Sequence, residues 1–91
     1  MTVYNMKHEE TTYTILGKTY PGTKWSWTFE KEDPRFLYST NDLGEGIFCY
    51  DRKKGERTQI AGTCQFSACK TTSGMVRKVR KWFADYEGEN A

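Results

Sequence analysis

Met75-Val-Arg-Lys-Val-Arg-Lys-Trp-Phe-Ala-Asp-Tyr86 is the stretch that decides how the rest of this chain must fold. Met75, Val79, Trp82, Phe83 and Tyr86 recur at helical spacing, while Arg77, Arg80 and Lys81 fall on the opposite side at about 100° per residue. The pattern predicts an amphipathic helix with one apolar face and one positive face. Thr72 or Ser73 is the expected N-cap and Gly88 the expected C′ residue, with no capping box between them.

A helix of this kind needs an apolar surface to lie on, and the preceding residues can supply only one. The chain has 91 residues, enough for a single domain, 1–91, with one core. Aromatic residues make up 15% of it and replace most of the Leu and Ile of an ordinary core. Aromatic side chains fit a pleated surface, so the composition favours sheet.

Working back from the helix, Gly46-Ile-Phe-Cys-Tyr-Asp-Arg52 and Arg57 to Ala68 read as a hairpin around Lys53-Lys-Gly-Glu56. With Lys54-Gly55 as a two-residue loop, Cys49 faces Ile60, Phe48 faces Ala61, Tyr50 faces Gln59, and Cys64 falls opposite Glu45, out of disulfide reach of Cys49. Earlier, Lys24-Trp-Ser-Trp-Thr-Phe-Glu-Lys-Glu32 alternates, with Trp25, Trp27 and Phe29 on one side. Thr11 to Tyr20 is rich in β-branched and aromatic residues, and Tyr20-Pro-Gly-Thr23 supplies a type II turn between these two arms. Asp33-Pro34 ends the second arm, Arg35 to Ser39 is a short extended piece, and Asn41 to Gly46 is a loop. Residues 1–10 read as a short edge strand from Thr2 to Met6 or as flexible chain, and residues 87–91 as a frayed tail. The expected fold is α+β: a mainly antiparallel sheet of four or five strands with one C-terminal amphipathic helix packed on one face.

Charge is unevenly placed. Residues 1–45 hold five Lys/Arg and seven Asp/Glu, whereas residues 46–91 hold nine and five. The bases cluster as Arg52, Lys53, Lys54 and Arg57 around the hairpin turn, and as Arg77, Lys78, Arg80 and Lys81 on the helix. Two such clusters point to an acidic macromolecular partner, and phosphate backbones and acidic protein surfaces both fit. The first ten residues lack the apolar core of a signal peptide and no stretch approaches a membrane span, so a cytoplasmic protein with no membrane role is expected. Three Cys fit reduced thiols better than a disulfide framework, and read as buried small hydrophobes.

No catalytic set emerges. His8, the sole histidine, has no neighbouring Ser or Cys, the Cys spacing lacks a C-x-x-C metal knuckle, and Gly44-Glu-Gly46 does not open a helix as a phosphate loop must. No enzyme, metal site or cofactor is expected. The Trp25, Trp27 and Phe29 stripe reads as core under the helix in preference to a platform for single-stranded nucleic acid. Ile47 to Tyr50 is apolar on both sides, so its second face is either buried by the first hairpin or is a contact patch of Phe48 and Tyr50 beside Arg52 and Arg57.

The block from Gly46 to Gly88, GIFCYDRKKGERTQIAG followed by a basic amphipathic helix, loosely resembles the sheet-plus-helix DNA-binding modules of phage integrase arm domains and plant AP2 domains. The likeness covers the order of elements and a Gly-aromatic-turn pattern over about half the chain, and the acidic first half departs from it. In size, aromatic-rich sheet and lack of catalytic residues the chain is similar in style to phage-encoded anti-CRISPR proteins. Together these features lead us to expect a non-catalytic binding module that docks on and occludes a macromolecule. A protein partner is favoured, for an inhibitor or adaptor of phage or mobile-element type. The alternative is nucleic-acid binding through the basic turn and the basic helix face.

Overall fold

The computed structural model describes residues 1–89. Five strands, β1 (Tyr4–Ile15), β2 (Lys18–Thr28), β3 (Phe36–Ser39), β4 (Ile47–Asp51) and β5 (Glu56–Ala61), precede a helix, α1 (Thr72–Glu89). They form one antiparallel sheet in the order β1-β2-β3-β4-β5. The α+β architecture expected from the sequence is therefore the one observed.

The helix covers one face of this sheet. Met75, Val79 and Phe83 of α1 are buried with Trp25, Trp27, Ile47, Ala61 and Phe66. Phe83 presents its edge to Phe29 at 4.7 Å and Tyr38 at 5.2 Å between centroids, favourable aromatic geometry. Trp82 packs from the side of the cluster. The alternation in Lys24 to Phe29 thus places Trp25 and Trp27 as read, although β2 ends at Thr28 and Phe29 lies just beyond it.

The helix starts earlier than its apolar pattern suggests. Thr71 is the N-cap, where Thr72 or Ser73 was expected: its Oγ1 accepts from the Gly74 N–H at 3.1 Å and its C=O from the Met75 N–H at 2.9 Å. A Cβ at Gly74 would crowd that hydroxyl, so glycine at this position lets the cap close. Gly88 lies within α1, which runs to Glu89, so it is not the C′ residue. Of the expected frayed tail, Glu87 is helical, and residues 90 and 91 lie outside the described residues.

Both hairpin turns differ from expectation. The first closes at Leu16-Gly17, with φ of 51 and 80, and not at Pro21-Gly22. Two successive left-handed residues make a turn whose twist matches the strands it joins, which a type II turn does not. Tyr4 to Met6 of the expected edge strand consequently belong to one long β1, bulged between Tyr4 and Lys7, and Thr2 and Val3 precede it. Pro21 sits inside β2 opposite Thr12. Trp25, an even number of residues away, directs its N–H to Thr40 Oγ1 at 3.0 Å, on the β3 side. By alternation the missing Pro21 N–H also faces away from β1, where no ladder bond is lost.

In the second hairpin Cys49 faces Thr58, Phe48 faces Gln59 and Tyr50 faces Arg57, so the expected register is wrong by two residues. The turn is Arg52 to Gly55, not Lys54-Gly55 alone, because the Asp51 carboxylate accepts from the N–H groups of Lys53 at 3.0 Å and Lys54 at 3.3 Å. Gly55, at φ 67, completes it with an N–H bond to Asp51 O at 2.7 Å. A shift of two leaves every side chain on its expected face. β5 ends at Ala61, well short of Ala68, and Glu45 bridges to Ser67 in place of Cys64.

Candidate functional site

Alternation along β4 sends Ile47 and Cys49 toward the helix and Phe48 and Tyr50 to the other side of the sheet. The registers then build two rows on that open face: Ser26, Ser39, Phe48 and Gln59 in one, and Leu37, Tyr50 and Arg57 in the next. The first hairpin lies beside β3 in the same sheet and does not cover this face. Tyr50 is 41% exposed and Leu37 38%.

The Arg57 guanidinium lies over the Phe48 ring, 4.2 Å from its centroid, which holds a long flexible cation in one place. Next to Tyr50 and Leu37 is a shallow concavity of about 380 Å³ whose walls include Lys7, Glu9, Lys24 and Ser26. Sequence reading missed Lys7, Lys24 and Leu37 as parts of this face. The side opposite Trp25 and Trp27 already held Lys24 and Ser26, but without β1 and β3 placed beside β2 nothing joined them to Tyr50.

At the rim, Asp51 fixes the basic turn. Arg35 donates to it through Nε at 3.1 Å and Nη2 at 3.0 Å, a two-point pairing with a mostly buried carboxylate. The Arg35 bonds, aided by the Lys53 and Lys54 N–H groups, hold the Asp51 carboxyl down to about 2. Arg52 is tied back to Asp33 at 3.2 Å and to the Pro34 carbonyl at 2.9 Å. Lys53 and Lys54 are exposed. The first predicted cluster is thus split: Arg57 belongs to the open face, Arg52 braces a loop, and the two lysines project from the turn.

The helical cluster is on the other side of the molecule. Arg77, Arg80 and Lys81 line a concavity with Met1, Ala84 and Glu87. Lys78 lies 5.5 Å from the Phe66 ring, over the edge of the core, and Lys81 pairs with Asp85 at 3.4 Å. No flat partner can touch this cluster and the Phe48 face together, since the helix and the sheet stand between them.

The thiols are unpaired. Cys49 and Cys69 are half-buried but Cys64 is exposed, which corrects the reading of all three as buried fillers. Cys64 sits in the turn after β5, a segment the sequence had assigned to a strand. Burial raises the Cys49 thiol and, more strongly, the Tyr38 phenol beside it, so neither ionises readily. The His8 ring lies tilted against Trp25, with centroids 4.8 Å apart, and Glu10 is 3.8 Å from its Nδ1.

Among the described residues no helix is long and apolar enough to cross a membrane, and no group of three or more His, Cys, Asp and Glu is arranged to hold a metal ion. No protein-family model, curated protein or solved structure matches the chain.

Proposed function

We propose that the chain is a small non-catalytic binding module that docks through the open face of its sheet on an acidic protein surface and occludes it. The observation that carries this reading is the Arg57 guanidinium held on Phe48 beside the exposed Tyr50 and Leu37. Tyr and Arg are enriched among the residues that dominate binding energy at interfaces, Phe is enriched in their composition, and a preset arginine loses less freedom on binding. Lys7, Lys24, Lys53 and Lys54 surround the patch and favour acidic groups at its rim. Arg77, Arg80 and Lys81 contribute to the long-range field and not to the contact. Occlusion by a small cytoplasmic inhibitor or adaptor of phage or mobile-element type, anti-CRISPR proteins among them, is the mode of action that suits such a surface; three unpaired thiols accord with that compartment.

The test is capture of a partner from nuclease-treated lysate by wild type, by Tyr50→Ala/Arg57→Glu and by Arg77→Glu/Arg80→Glu. Capture lost only in the sheet-face variant is the expected result. Equal capture by all three, or loss only in the helix variant, sinks the assignment of the face.

A second reading has an observation of its own. Lys7, Lys24 and Arg57 around the exposed Tyr50 ring and the partly exposed Phe48 also suit single-stranded nucleic acid. Binding of DNA or RNA oligonucleotides at about 50 mM salt that weakens log-linearly as salt rises, and is lost in the same sheet-face variant, would favour it over protein.

A further inference from the structure

The outer edge of β1 is a long run of strand backbone without a neighbour among the described strands. β1 ends the sheet and spans 12 residues, against 6 for β5 at the other edge. Trp25 exchanges both backbone groups with Thr40, its N–H to Oγ1 at 3.0 Å and its C=O from the Thr40 N–H at 2.9 Å. Its backbone therefore faces away from β1, and its cross-strand partner His8 must turn its own N–H and C=O off the edge. Alternation does the same for Glu10, Thr12 and Thr14. From Lys7 to Ile15 the ladder to β2 is regular, and the segment contains no proline.

Edge strands are usually guarded by charge, and Lys7, Glu9 and Glu10 guard this one over the stretch from Lys7 to Glu10. A second copy of the same strand is the exception. A two-fold axis perpendicular to the sheet allows only registers in which one residue meets its own copy, because opposed residues must share a face. With the axis at Glu9 or Glu10, two carboxylates meet head on. With the axis at Thr11, Lys7 faces Ile15 and Glu9 faces Tyr13, so neither charge finds a counter-charge. With the axis at His8, Lys7 of each copy lies opposite Glu9 of the other, in the closer, non-hydrogen-bonded type of pair. Lys7 and Glu9 are exposed and make no ion pair within the described residues of one chain, so both are available.

We infer that two copies of the chain associate through antiparallel β1–β1 pairing centred on His8, joining their sheets into one. Of the registers centred on His8, Glu9, Glu10 and Thr11, only this one sets Lys7 against Glu9. The axis puts both open faces on the same side of the joined sheet, with the concavities walled by Lys7 and Glu9 adjacent across it. This pairing goes beyond the proposed docking function and does not depend on what the open face binds.

Sedimentation equilibrium over a wide concentration range tests it. Wild type is expected to show a reversible monomer–dimer equilibrium, and Lys7→Glu or Glu9→Lys alone to weaken it about tenfold or more, since each reversal sets like charges opposite one another twice. An equimolar mixture of the two variants should regain the wild-type affinity as a heterodimer, seen by native mass spectrometry, because every position 7 again faces an opposite charge at position 9. Glu10→Pro, which deletes an outward N–H but no bond to β2, is a second break that should also lower dimerisation. A wild type that stays monomeric into the millimolar range, a dimer indifferent to both reversals, or a mixture no tighter than its components overturns the inference.

Discussion

The turn of the β4–β5 hairpin is held by side chains, whereas that of β1–β2 is held by backbone alone. Asp51 gathers the Arg35 guanidinium and two turn N–H groups, and Ile47 at the base of the hairpin is fully buried. Leu16, at the tip of the other, is 98% exposed and sits at φ 51, a conformation that disfavours a residue with a Cβ. Its shaft is steadied by the Tyr13–Tyr20 stack at 5.5 Å, a Thr14–Thr19 contact and, nearer the root, the Thr11 hydroxyl donating to the Asp42 carbonyl at 2.9 Å. One hairpin is anchored at both ends, and the other is a ribbon rooted at one end. The difference shows that turn residues alone do not locate a hairpin: an acceptor before the turn, or a buried root, decides where it closes.

Four substitutions probe the contrast. Ile47→Ala removes the buried root of the anchored hairpin and should cost about 2–5 kcal/mol in urea unfolding, whereas a loss well under 1 kcal/mol would mean that the root is not in the core. Asp51→Asn should lower the thermal midpoint at neutral pH, with a sign fixed by the depressed carboxyl. Its pKa is about 2 in the folded chain against about 3.9 unfolded, so the stabilisation is fully present above pH ~4 and is lost as the pH falls toward ~2. The midpoints of wild type and variant should therefore converge in acid, and a gap that persists below pH ~2 would contradict the pairing. Leu16→Asn, which gives the Asn-Gly pair favoured in such turns, should raise stability by about 1 kcal/mol by relieving the left-handed leucine. Pro21→Thr should change stability by no more than about 0.5 kcal/mol, because no β1 bond is gained or lost there. A large effect of that change would mean that the ribbon is anchored after all.

The faces of this molecule were legible in its sequence and the turns were not. Periodicity of 3.6 in α1 and of 2 in β2 identified Met75, Val79, Phe83, Trp25 and Trp27 as core, because burial acts on each residue by its position in the repeat. Turn position depends on competition between near-equal alternatives. Pro21-Gly22 is a strong turn signal that the fold absorbs into a strand, since the missing N–H points off the ladder. The effect of Asp51 on the second turn is a side-chain bond over three residues that also needs Arg35, far away in sequence, to bury it. Phe48, Tyr50 and Arg57 could be grouped from their hairpin alone, even with its register displaced by an even number. That Arg77 and Arg80 lie behind the sheet from them depends on the side the helix chooses, and charge patterning carries no record of that choice.

The order of elements along the chain has a consequence for how the molecule is made. Every strand pairs with its neighbour in sequence, so the sheet can assemble from the N-terminal side as the chain is synthesised. Its cover, α1, comes last. At ~5–20 residues per second, translation from Ala61 to the end of α1 occupies on the order of seconds, during which Trp25, Trp27 and Ile47 have no helix to lie under. The nascent sheet is thus most prone to misassociate in the interval between the synthesis of β5 and that of α1, and α1 ends that exposure as well as forming one wall of the core.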